Sequence, residues 1–151
     1  MPIVATSLLA LCALAGAWLD MVSRRLPNWL CLMTALAGLA AAFVDGGAAA
    51  PLSHAMHASI ALMVGMVLFR LGWIGGGDAK FYAACAVWFP LASALYLLGA
   101  VSLAGLAVIA LWFGWRQLAR AGQSKPGDAF AMVPYGVAVA IGAVAIKVWH
   151  P

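Results

Sequence analysis

Gly72-Trp73-Ile74-Gly75-Gly76-Gly77-Asp78-Ala79-Lys80, running on to Phe89-Pro90, is the stretch whose reading decides the fold. From residue 79 to 114 the chain is apolar for too long to be one ordinary membrane span, and Pro90 is the natural break. The piece before Pro90 has about a dozen residues, so as a helix it covers roughly 18 Å of a hydrocarbon core about 30 Å thick. If its far end reaches the outer interface, its start must be recessed below the inner membrane surface. Asp78 then sits at a helix N-terminus inside the protein. Three glycines of non-helical backbone are tolerated at that depth only against protein or a water-filled cavity.

The rest of the chain agrees with a membrane setting. Of its 151 residues, 67% are hydrophobic and 8% charged, and the mean hydropathy is +1.07, which excludes a soluble globular domain. The length leaves room for about six spans of roughly 20 residues and for no separate aqueous domain. The net charge of +4 comes from Lys and Arg scattered singly or in pairs between apolar runs. That pattern sets orientation in a bilayer and is no nucleic-acid signature. Cys12, Cys31 and Cys85 lie inside apolar stretches without a C-x-x-C pair, so they read as small packing residues. The first run, to Trp18, lacks the positive flank of a secretory signal and reads as a retained helix.

Apolar runs fall at roughly 3–20, 29–44, 54–72, 79–89, 91–114 and 130–149. The breaks alternate in charge. Arg24 and Arg25 mark the first, Arg70 and Lys80 the third, and Arg116, Arg120 and Lys125 the fifth, whereas the second and fourth carry no Lys or Arg. The positive-inside rule puts the basic breaks in the cytoplasm and both termini outside, with Lys147 left to snorkel. Trp29, Trp73, Trp88, Trp112, Trp115 and Trp149 fall near the expected interfaces. The expectation is an all-α, polytopic membrane protein of about six helices, N-out and C-out, with a short fourth helix and a single domain over 1–151.

The chain has no Glu and four Asp. Asp20 closes the first run and Asp78 opens the fourth, both toward the cytoplasmic face. Charged groups near hydrocarbon are costly and mark functional sites. Two carboxylates meeting in a dry site hold one proton between them: the ionised member takes a proton from water while the protonated one polarises a carbonyl. This is hydrolytic equipment that needs neither metal nor cofactor. The helix N-terminus at Asp78 favours its charge, which makes Asp78 the base and Asp20 the acid. The plainer reading is that both acids cap helices or pair with Arg24 and Lys80. Asp128, after Pro126-Gly127, reads as the N-cap of the last helix, and Asp45 as solvated. His54 and His57 read as a solvated or interfacial face, since two histidines make a poor metal site. A rival reading is a small proton- or ion-translocating subunit, which would need an acid near mid-bilayer.

Asp20 with Arg24-Arg25-Leu26-Pro27-Asn28, then Gly75-Gly76-Gly77-Asp78-Ala79-Lys80, then Pro134-Tyr135-Gly136, resembles the type IV prepilin peptidases, the Gly-x-Gly-Asp class of membrane aspartyl proteases. The resemblance covers nearly the whole chain. It implies that Asp20 and Asp78 are the catalytic pair, and that the substrate is a prepilin or pseudopilin whose basic leader is cut at the cytoplasmic face of the bacterial inner membrane. It further implies close substrate approach at Gly75, Gly76 and Gly77, with Arg24, Arg25, Pro27 and Asn28 shaping the loop beside Asp20. Lys80 either tunes Asp78 or snorkels. Larger family members carry a Cys-rich N-terminal domain linked to methylation of the new pilin N-terminus. The sequence instead resembles the short peptidase-only forms of Flp or tight-adherence pilus systems, with archaeal preflagellin peptidases as a further relative. Lipid is the expected environment, and a homo-oligomer is compatible with it.

Overall fold

The computed structural model describes residues 2–23, 26–119 and 135–149. Six α-helices follow one another: α1 (Pro2–Ser23), α2 (Asn28–Gly46), α3 (Ala50–Arg70), α4 (Gly76–Ala86), α5 (Ala94–Ala119) and α6 (Tyr135–Trp149), with a 3-10 turn at Leu91–Ser93 before α5. Segments within α1, α2 and α3, and Leu91–Trp115 around α5, are long and apolar enough to cross a bilayer, and α6 is a shorter apolar helix. The chain is an all-α, polytopic membrane protein.

Local chemistry sets the boundaries. Pro27, extended at φ −69° and ψ 141°, precedes α2, and its carbonyl accepts from Leu30 N at 3.1 Å. The Pro27-Asn28 pair thus starts the second helix, as its sequence implies. Helix α3 ends in a Schellman turn: Gly72 takes φ 77°, its N–H bonds Phe69 O at 3.0 Å, and Trp73 N–H bonds Leu68 O at 3.0 Å. Glycine reaches that left-handed conformation without steric cost. The chain reverses there and enters α4 after three residues.

Helix α4 is the hub. It packs against α2, α3 and α6 and touches α1, while α6 is sandwiched between α1 and α5. Ala79, Phe81, Ala83, Ala84, Cys85 and Ala86 are all buried, so neighbouring helices cover most of α4. Small side chains let several backbones approach one short helix, as is usual where lipid gives helices no hydrophobic reason to associate. The bulky apolar residues point outward instead: Ile3, Leu14, Leu95, Leu103 and Leu111 are exposed, as expected for a surface solvated by acyl chains.

One histidine expectation changes. His57 is 2% exposed rather than on a solvated face, its Nδ1 bonded to Phe89 O at 3.1 Å. It was misread because an apolar run without stripes does not reveal which face is inward. Trp88 is likewise buried between helices and donates from Nε1 to Thr34 O at 3.0 Å. Asp45 is exposed, as expected. Arg120, Lys125 and the Asp128 cap lie outside the described residues.

Close helix contact brings a first prediction. A Cβ at Gly142 would lie 2.7 Å from the N and Cα of Val101, so α5 and α6 must part to admit it. Gly142→Ala is expected to destabilise the protein by about 1–3 kcal/mol, the usual cost of overpacking, read as a lowered melting temperature in detergent.

Candidate active site

Asp20 lies in the last turn of α1 and is 8% exposed. Its Oδ2 accepts from the backbone N–H of Gly136 at 2.8 Å. Gly136 is the second described residue of α6, so a backbone amide of that helix, not a side chain, meets this carboxylate. Position 136 tolerates no side chain beside that carboxylate, because a Cβ would fall 2.8 Å from Asp20 Oδ2 and 3.0 Å from its Cγ.

Asp78 is the third residue of α4, behind the extended N-cap Gly75. No side chain caps the helix at Gly75. The Asp78 carboxylate folds back instead and accepts from the Gly75 N–H, one half of a capping box. A Cβ at residue 75 would sit 2.7 Å from Asp78 Oδ2, which explains the glycine there in terms of space. A Cβ at Gly76 would press on the Phe69 ring at 3.3 Å, whereas one at Gly77 would make only ordinary contact with Leu26, so space explains the first two glycines and not the third.

The two carboxylates are within electrostatic reach of each other. The notch that brings their helices together is Gly16 of α1, where the ring of Phe81 occupies the space a side chain would need. Phe81 is fully buried. Asp78 rests on the positive end of α4, while Asp20 is met by a backbone N–H of α6.

Of the remaining sequence candidates, Asn28 and Lys80 are joined directly: Lys80 Nζ donates to Asn28 Oδ1 at 3.1 Å, tying α4 to the start of α2. Leu26 and Pro27 bridge toward the glycine turn. Arg24 and Arg25 lie outside the described residues. Because the Lys80–Asn28 bond is exposed, Lys80→Met is expected to leave peptide cleavage within about threefold of wild type, as for other lone surface contacts. A loss comparable to that of an aspartate variant would make Lys80 part of the chemistry.

Sequence reasoning noted Gly136 only as part of a motif and missed its amide as the Asp20 partner. No side-chain pattern announces a backbone donor.

Asp78 also lines one end of an apolar cavity of about 570 Å³, walled by Gly65, Leu68, Leu98, Gly105 and Tyr135 among others. A carboxylate in the wall of an apolar cavity suits contact with a polypeptide that is itself partly apolar. A model of the type IV leader peptidase family matches residues 7–110, which include both Asp20 and Asp78. The chain belongs to that family. Membership of the type IV leader peptidases makes it a peptidase, a hydrolase acting on pilin-like leaders, in agreement with the resemblance read from its motifs. No curated protein and no solved structure matches the chain.

Proposed function

We propose that this leader peptidase removes the basic leader of type IV prepilin-like proteins at the cytoplasmic face of a bacterial inner membrane, with Asp20 and Asp78 as its catalytic pair. The observation that carries the reading is the pair itself: two carboxylates from separate helices, Asp78 in the first turn of α4 and Asp20 held by an α6 amide, within electrostatic reach of one another. One carboxylate takes a proton from water, and the oxygen so activated attacks the scissile carbonyl carbon. The other, protonated, gives its proton to the carbonyl oxygen. As the tetrahedral species collapses, the C–N bond breaks and the leaving nitrogen takes up a proton. The products are a leader carboxylate and a new amino terminus, and the pair again holds one proton.

Gly75, Gly76 and Gly77 would let the substrate strand pass close to Asp78. Pro27, Asn28 and Lys80 hold the adjoining loop and the start of α4, with Arg24 and Arg25 assigned there by their place in the motif. The apolar segment that follows the leader would lie in the cavity beside Asp78, whose lining offers a basic leader no anionic partner except the carboxylate itself. Loop charge supports the orientation, since Arg70 and Lys80 flank the glycine turn while the separate recess lined by Asp45, His54 and Pro90 holds a single such cation, Lys147, among the described residues. The whole chain then acts as one integral-membrane peptidase domain, of the kind found with Flp-type pili.

The test uses the purified full chain in proteoliposomes with a synthetic prepilin peptide carrying leader and apolar segment. Cleavage at their boundary is expected, and no cleavage of a peptide truncated before the apolar segment. An intact peptide, with proton flux across the vesicles dependent on Asp78, would replace this reading with the ion-translocating one.

A further inference from the structure

The end of α4 remote from Asp78 is held by an unusual number of side chains from other helices. His54 Nδ1 bonds Val87 O at 2.8 Å, and His57 Nδ1 bonds Phe89 O at 3.1 Å. Ser53 Oγ accepts from Leu91 N at 3.0 Å, and Trp88 Nε1 reaches Thr34 O on α2 at 3.0 Å. The ammonium of Lys147 on α6 lies 5.7 Å from the centre of the Phe89 ring. All of these grip residues 87–91, immediately after α4. A carbonyl can only accept, so both histidines present Nδ1–H.

We propose that His54 and His57 are positioning residues that set where Asp78 sits relative to Asp20. The proposal rests on Asp78 being one of the two working carboxylates. Helix α4 is rigid over this length, and nine residues at 1.5 Å each put Val87 about 13 Å along the axis from Asp78. A shift or rotation permitted at one end is therefore delivered to the other. Asp20 belongs to the α1–α6 pair, whereas the histidines belong to α3, which packs along α4. Near Asp78, Gly65 of α3 abuts Ala79 so tightly that a Cβ would lie 2.9 Å from the alanine methyl. Helix α3 thus guides α4 at both ends, and the two histidines fix its height. Misplacing a reacting group by about 1 Å costs on the order of a hundredfold in rate. The bland alternative is that the histidines only satisfy two carbonyls beyond a helix end, which would affect stability and leave turnover alone.

The experiment compares His54→Leu, His57→Leu, His54→Asn and His57→Asn in the full chain, reconstituted in proteoliposomes with the prepilin peptide. His54→Leu is expected to lower kcat by about tenfold or more with KM within about threefold, and His57→Leu, whose residue also lines the cavity beside Asp78, is read on kcat alone with the same loss expected. Asparagine places an N–H near the position of Nδ1 and is expected to recover kcat to within about threefold of wild type. Amide hydrogen exchange over residues 79–86 should quicken in the leucine variants and return in the asparagine ones. Normal kcat in both leucine variants would overturn the proposal, even with faster exchange, and so would equal losses in the leucine and asparagine forms. Should His57→Leu fail to fold, the half-buried His54 pair decides alone. Asp78→Asn is measured alongside: if it is inactive while the histidine variants are normal, only the positioning role falls, and if it is active both readings fall.

Discussion

On the proposed mechanism, Asp20→Asn and Asp78→Asn are each expected to lower leader cleavage by about 10²- to 10⁴-fold, the range general acid–base groups supply, while the proteins insert and melt like wild type. Asparagine keeps the shape of the carboxylate. At position 20 its amide oxygen can still accept from Gly136 N–H, and at position 78 from Gly75 N–H. The helices are therefore left in place, and the loss reports chemistry rather than folding. Because the two acids act on one water and one carbonyl, their losses do not add: Asp20→Asn with Asp78→Asn is expected to be about as slow as the worse single variant. Cleavage of a tagged prepilin on a gel, beside a membrane-insertion assay, measures this. Normal processing by either single variant removes that residue from the mechanism.

Gly136→Ala is the second large effect. Its new methyl would lie 2.8 Å from Asp20 Oδ2 and 3.0 Å from Asp20 Cβ, too close for both to stay. The carboxylate must turn away, and its bond to the α6 amide stretches or breaks. A displacement near 1 Å at a reacting group predicts a fall in kcat of about 10²-fold, with KM little altered because the methyl lies behind the acid. Gly75→Ala acts on the other acid in the same way, since a Cβ there would come 2.7 Å from Asp78 Oδ2. Gly99→Ala is the control, for its Cβ meets nothing within 4 Å and should leave turnover unchanged. Equal rates at Gly136→Ala and Gly99→Ala would mean that the Asp20–Gly136 contact has no part in catalysis.

The helices, and the places of Asp20 at the end of α1 and Asp78 at the start of α4, were legible in the sequence because lipid imposes a length and a polarity on each segment. Pro27, Gly72, Gly75 and Pro90 punctuate the chain where the helices change. Packing was far less legible. The burial of Trp88 and His57 and the central place of α4 depend on which face of an apolar helix looks inward, and apolar residues cover those helices all round. The signal is one of size rather than polarity: Gly16, Gly65 and Gly142 mark the close contacts, and each needs its partner known before it means anything. Gly136 was hidden for a different reason, since it contributes its amide rather than a side chain.

The pairing of α1 with α6 has a consequence for biogenesis. During synthesis Asp20 enters the bilayer long before the amide of Gly136 exists. Until α6 arrives, a nascent chain has both acids but lacks the wall that orients the first. On the proposed mechanism, peptide cleavage therefore awaits the packing of α6 against α1.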